Sequence, residues 1–404
     1  MHHDPVRFRK YYPDLETVEI DGRGLTGEGR IRALTRCLRK VNPVIALPMS
    51  LVEANQAVAR CKAAGQKTSL VIHAQGNLPP MLADLRYFQS VIDHVVCPGR
   101  LTRQVLCSWA GFHQADVSHI PNGAMSRQFE RVKHSGAELR IGFVGRFSQQ
   151  DKRVLDMIPL VNQLREKRLP FSLKIAGQGG EDATLRNALQ SFPEVSFCGA
   201  LTQQQLYRDF YPHIDVLVLF SASEAFGIVL AEAMMNGVVP VTSQYTGFSE
   251  EKLVVHDVTG LSFPVGDISA AGCQIERLHR DPELRRRLSQ RGESHAEANY
   301  RWDLSLTRWE DCLRKVAGEP VRSSNGKTES LSPDPPGRLD RLGVPTGMTD
   351  LFRRMRRRLI GPSVPPGGTE WPLYNDQYSA DELAQITTAC NDAENAARIG
   401  DAAA

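Results

Sequence analysis

The stretch Ile214-Asp-Val-Leu-Val-Leu-Phe220, Ser221-Ala-Ser-Glu-Ala-Phe-Gly227, Ile228-Val-Leu-Ala-Glu-Ala-Met-Met-Asn-Gly237, Val238-Val-Pro-Val-Thr242 reads as strand, turn, helix and strand. Its two apolar runs are continuous rather than alternating, the pattern of strands buried on both faces of a parallel sheet. Gly227 opens the intervening helix and Gly237 stops it. Outward from this core lie further strand candidates: Leu139-Arg-Ile-Gly-Phe-Val-Gly145, Phe171-Ser-Leu-Lys-Ile-Ala-Gly177, Val195-Ser-Phe-Cys-Gly199 and Gly260-Leu-Ser-Phe263. Six strands separated by helical segments make a complete doubly wound unit.

A first series precedes it, with strand candidates at residues 17–20, 43–48, 69–73, 93–97 and 117–121 and helix candidates at 29–40 and 51–64, the latter stopped by Gly65. The class is therefore α/β, with two doubly wound Rossmann-like domains. Residues 122–138 are polar, contain glycine and lack periodicity, which places a hinge there, a first domain at 1–130 and a second at 131–317. A ligand cleft between them, at the carboxyl ends of the strands, is the expectation. Nine of the 24 prolines fall in the last 87 residues, so 318–404 reads as a largely disordered tail. Within it, residues 348–360 form an amphipathic helical pattern: Leu351, Phe352, Met355, Leu359 and Ile360 share one face and five arginines occupy the rest.

Composition sets limits. The 404 residues are 41% hydrophobic and 24% charged, ordinary for a globular protein, and the net charge of +3 gives no chain-wide basis for nucleic-acid binding. No nucleic-acid partner is expected. The eight cysteines include no Cys-x-x-Cys pair and no zinc-type spacing, so they read as reduced thiols with no metal site. Residues 1–13 lack the apolar core of a signal peptide, and no stretch has the length of a membrane span. The expected location is the cytoplasm.

The turn and helix at 221–237 carry the densest chemistry. A helix start presents backbone N–H groups without intrahelical partners, and the helix dipole adds positive potential. The amides around Gly227, Ile228 and Val229 therefore suit a phosphate or diphosphate. Glu224 precedes the helix and Glu232 stands on its second turn, leaning back toward the same end. One carboxylate suits a sugar and the other a ribose diol, whereas as plain helix-face residues both would be solvated. Gly177 and Gly179 read equally as a tight turn or a nucleotide contact. His73 ends the apolar strand Ser69-Leu-Val-Ile-His. It either faces the cleft, bonding a sugar or receiving a proton, or bonds a neighbouring carbonyl.

In order and spacing these elements resemble the GT-B glycosyltransferases, in particular the large retaining family four group. Its Glu-x7-Glu signature in a Glu-Gly/Ala-Phe-Gly setting is matched by Glu224 to Glu232, followed by Pro240-Val241. Its other elements appear as Gly145-Arg146 with Lys152, Ala176-Gly177-Gln178-Gly179, Gly199, Asp215-Val216 and Thr259-Gly260-Leu261. The resemblance implies that Arg146 and Lys152 neutralise the diphosphate of a nucleotide sugar, that Glu232 binds its ribose and that Glu224 contacts the donor sugar. It also implies a cleft role for His73 and closing helices within 281–316. Two fixed cations and a helix start suit a departing diphosphate without a metal, and the chain has no Asp-x-Asp.

Three departures stand out: one extra residue between Arg146 and Lys152, Phe248 in place of a second glycine in Thr246-Gly247-Phe248-Ser249-Glu250, and a start that lacks the family's first strand and glycine-rich loop. The expectation is a metal-independent retaining hexosyltransferase, with no cofactor beyond the donor. It moves sugar to a glycan or lipid-linked acceptor in bacterial polysaccharide or envelope synthesis. Residues 348–360 would rest on an anionic membrane surface at the inner face of the cytoplasmic membrane. The competing expectations are a truncated, catalytically weak nucleotide-sugar-binding paralogue or subunit, and a nucleotide-sugar epimerase.

Overall fold

The computed structural model describes residues 13–20, 22, 25–49, 51–133, 137–324, 342, 344–361, 375 and 378–403. The expectations for residues 1–12 and for most of the Pro-rich tail lie outside these. The chain divides into two units. Residues 1–96, 105–118 and 312–389 form the first, and residues 97–104, 119–311 and 390–404 the second.

The first unit is built on a sheet of order β1-β2-β3-β4, comprising β1 (Ile45–Ala46), β2 (Ser69–His73), β3 (His94–Cys97) and β4 (Val117–His119), with β1–β2 and β2–β3 parallel. Every residue of β2 and β3 is buried, as continuous apolar runs require. Helix α1 (Gly27–Val41) is capped by Thr26, whose hydroxyl accepts from the Gly29 N–H at 3.0 Å. α2 (Val52–Ala63) packs against it through the buried pair Arg30–Glu53. Gly65 follows with φ +87, as the glycine stop predicts. Residues 17–20 are not a strand, and Val18 is exposed. Two alternating apolar residues give strand propensity, but that propensity reflects side chains packing on a half-buried sheet surface, which an exposed Val18 does not do.

The second unit is a parallel six-stranded sheet of order β10-β9-β8-β5-β6-β7. Its strands are β5 (Leu139–Arg146), β6 (Phe171–Gln178), β7 (Val195–Gly199), β8 (Val216–Leu219), β9 (Val239–Ser243) and β10 (Leu261–Phe263). Along β8, Val216 and Val218 enter the core on one face while Leu217 and Leu219 enter that on the other. The strand order reverses between β5 and β8, and at such a switch point the loops after both strands open a crevice. β5 ends on Arg146 and the loop after it carries Lys152, while the loop after β8 carries Glu224.

Among the described residues of the tail region lie two helices, α12 (Thr346–Ile360) and α13 (Ala380–Ala403). The first fits the expected amphipathic segment. The second corrects the picture of a tail with one ordered element: Cys390, Ala393 and Glu394 are buried within the second unit. In the first unit, Asn375 and Tyr378 are tied down by Asp84, which accepts from the Asn375 N–H at 3.0 Å and the Tyr378 hydroxyl at 2.7 Å.

Candidate functional site

At the switch point of the second unit the two loops are stitched together. The Ala222 N–H donates to the Asp151 carbonyl at 2.9 Å, and the β5 loop is also tied to the end of β6 by the Phe147 N–H, which donates to Gln178 O at 2.9 Å. These bonds bring Lys152 onto Glu224, with Nζ 2.5 Å from Oε1 and side-chain exposures of 17% and 10%. The Ser221 hydroxyl donates to the same oxygen at 2.6 Å. Glu224 is thus a fixed, charge-assisted acceptor rather than a solvated loop carboxylate. Arg146, at the end of β5, pairs with Asp151. Burial raises the Asp151 carboxyl, but Ser148, Arg146 and Lys152 together hold it below the ordinary range. The Arg146 side chain is 71% exposed, so the pair lies open to solvent.

The helix that follows, α7 (Ile228–Met235), begins where predicted. Gly227 has φ +83, a left-handed conformation that turns the chain so that the Ile228 and Val229 amides head the helix. Glu232 is 8% exposed, and its Oε2 accepts from the Tyr211 hydroxyl at 2.7 Å. Burial pushes its carboxyl up to about 7, partly offset by that hydrogen bond. A nearly desolvated carboxylate on the second turn of this helix can hold a diol by two short hydrogen bonds.

The predicted glycines have an internal explanation. A Cβ on Gly177 would stand 1.9 Å from the Gly145 carbonyl oxygen, and one on Gly179 would stand 2.4 Å from that of Phe147. They let the turn after β6 lie directly on the Arg146 loop, so their small size positions that loop. His73 belongs to the first unit, at the carboxyl end of β2. Gln75 Nε2 lies 3.2 Å from its Nδ1, and burial pushes the imidazole down to about 4, so the ring is neutral at pH 7.

Sequence reasoning did not single out Asp151, Ser221, Tyr211 or Glu394. Ser221, three residues before Glu224 in a turn, carried a local signal; Tyr211 comes from an apolar-aromatic segment without one. Among the described residues no group of three His, Cys, Asp or Glu side chains is placed to hold a metal ion.

Comparison with known proteins matches residues 125–295 to the glycosyl transferases group 1 family. The match takes in β5 to β10 together with Arg146, Lys152, Glu224 and Glu232. The chain is similar to N-acetyl-alpha-D-glucosaminyl L-malate synthase of Bacillus anthracis, 26% identical over 176 residues, covering 44% of this chain and 45% of that protein. It is also similar to the lipopolysaccharide 1,2-N-acetylglucosaminetransferase of Salmonella typhimurium, 26% identical over 222 residues, covering 50% and 57%. The chain spans about half the length of these curated relatives. In fold it resembles the pneumococcal O-GlcNAc transferase GtfA, solved with UDP and GlcNAc, with a TM-score of 0.61 at 16% identity, covering 72% of this chain and 61% of that one. The two parallel sheets are those of the GT-B glycosyltransferase fold.

Proposed function

We propose that this protein transfers a sugar, with retention of anomeric configuration, from a nucleotide-sugar donor to a glycan or lipid-linked acceptor in bacterial polysaccharide or envelope synthesis. The observation that carries the reading is the convergence of Arg146, Lys152, Glu224 and the α7 start at the β5/β8 switch point of a group 1 transferase domain. The GtfA structure, which holds UDP, makes a uridine diphosphate sugar the first donor to try.

In this reading Glu232 accepts from the ribose hydroxyls and the α7 amides receive the diphosphate. Glu224 holds a donor-sugar hydroxyl, while Lys152, paired with Glu224, turns to bridge that carboxylate and the phosphate. As the glycosidic bond breaks, negative charge gathers on the departing diphosphate, where Lys152 and Arg146 stabilise it more than they stabilise the intact donor. The two cations do the work a divalent metal does elsewhere, so transfer is metal-independent. The neutral His73 serves the sugar or the acceptor proton at the first unit.

The setting is the cytoplasmic face of the membrane. No helix among the described residues is long and apolar enough to cross a membrane. Helix α12, however, exposes Met348, Leu351, Phe352, Met355 and Leu359, each at 50% or more, beside the exposed Arg354, Arg356 and Arg358. At 100° per residue these five apolar positions fall within an arc of about 100°, the geometry of an interfacial helix on anionic lipid. Turnover of a uridine diphosphate sugar with and without a glycan acceptor tests the reading. Sugar transfer supports it, whereas binding without turnover would favour the catalytically weak paralogue and interconversion of the sugar alone would favour an epimerase.

A further inference from the structure

The part of α13 that belongs to the second unit closes on the loop between β9 and the short helix α8 (Phe248–Glu251). Glu394 is 3% exposed there. Its Oε2 accepts from the Gly247 N–H at 2.9 Å and its Oε1 from the Ser249 N–H at 3.1 Å. Arg398, one turn on, donates to Glu394 Oε1 at 3.2 Å and to the Gln244 carbonyl at 2.8 Å. A carboxylate so buried is tolerated only with such partners, so Glu394 forms a built clamp on residues 247–249, with the more exposed Arg398 reaching over it to Gln244.

What the clamp holds is the backbone on which Glu224 hangs. Thr246, between Gln244 and Gly247, donates its N–H to the Ala222 carbonyl at 2.9 Å and accepts at its own carbonyl from the Glu224 N–H at 3.3 Å. Gly247 has φ +106, a conformation that leaves this segment loosely determined by its own sequence. Tyr245 is fully buried beside it; burial and the nearby carboxylates of Glu224, Glu251 and Glu394 keep its hydroxyl protonated.

We propose that Glu394 is a positioning residue for Glu224, acting through Thr246, and that α13 is a working part of the transferase domain. The proposal rests on the donor-binding role of Glu224. A carboxylate that must meet a sugar hydroxyl within a few tenths of an ångström needs a supported backbone, because misplacement near 1 Å costs about a hundredfold in rate.

The test compares Glu394→Ala and Glu394→Gln with the parent, in the full chain. Hydrogen exchange, which needs no substrate, should show the amides of residues 247–249 exchanging at least about tenfold faster in Glu394→Ala, with β5 and β8 unchanged. The kcat for transfer should fall about tenfold or more, while uridine diphosphate affinity stays within about twofold because Glu232 and Tyr211 are untouched. Glu394→Gln, which keeps one acceptor oxygen, should fall between the two. Unchanged exchange, an unchanged kcat despite faster exchange, or a rise in kcat would each overturn the proposal, the last marking α13 as a cover over the site. If the parent binds no nucleotide sugar, the donor-binding reading fails together with the proposed role, while the exchange result still reports the clamp.

Discussion

Replacing Glu232 with glutamine should make the protein more stable and a poorer binder, and the gain should depend on pH in a defined direction. Burial pushes the Glu232 carboxyl from its ordinary 4.5 to about 7. The folded protein therefore binds this proton more tightly than the unfolded chain does. Between about pH 4.5 and 7 the native state holds the proton that the unfolded state has released, so stability falls as pH rises through that window and stays lower above it. At 1.36 kcal/mol per pH unit, the interval corresponds to about 3 kcal/mol, lost by the time pH 8 is reached. Glutamine has no charge to desolvate and keeps an oxygen to accept from Tyr211. Urea denaturation of parent and Glu232→Gln from pH 4.5 to 8 reads the difference directly, because all other titrations cancel. The variant should match the parent near pH 4.5 and exceed it by about 3 kcal/mol at pH 8. Its affinity for a nucleoside diphosphate should meanwhile drop by about 1.5–3 kcal/mol through loss of charged hydrogen bonds to the ribose. A stability difference that ignores pH, or favours the parent at pH 8, would refute the reasoning.

Three other outcomes are expected. The double variant Arg146→Ala/Lys152→Ala should lose about a hundredfold or more in turnover in a transfer assay while EDTA leaves the parent active; EDTA inhibition reversed by magnesium would contradict the metal-free account. Gly179→Ala should destabilise the second unit or shift the Arg146 loop, because its Cβ meets the Phe147 backbone, whereas Gly180→Ala, with nothing within 4 Å, should leave the melting temperature unchanged. Sedimentation with phosphatidylglycerol vesicles should be lost on Leu351→Ser/Phe352→Ser and should weaken between 0.1 and 0.5 M salt, as charges are screened within about 10 Å at 0.1 M. Equal sedimentation of parent and variant would remove the membrane role of α12.

The second unit was legible because its strands are buried on both faces, so hydrophobicity alone marks them: the expected strand at 195–199 coincides with β7, and β5 and β6 extend one residue beyond expectation. Residues 17–20 show the converse, where strand propensity in a segment with Val18 exposed makes no strand. The glycines at 177 and 179 announced that something comes close, but only the structure says that it is the Arg146 loop. Glu394 was illegible for a different reason. A Glu and an Arg four apart on a helix look like an exposed pair, and its partner Gly247 lies 147 residues away in sequence. Tyr211 is likewise joined to Glu232 by tertiary packing alone. Local chemistry could be read where it sits on a local element; contacts made by the folded chain between distant segments could not.

The central claim is that the second unit binds a nucleotide sugar through α7 and Glu232. Calorimetric titration of the parent and Glu232→Ala with uridine, guanosine and adenosine diphosphate sugars tests it most directly. One nucleotide class should bind the parent at a single site and bind the variant at least about tenfold more weakly. If no nucleotide sugar binds the parent, or if Glu232→Ala binds as tightly, the claim is contradicted.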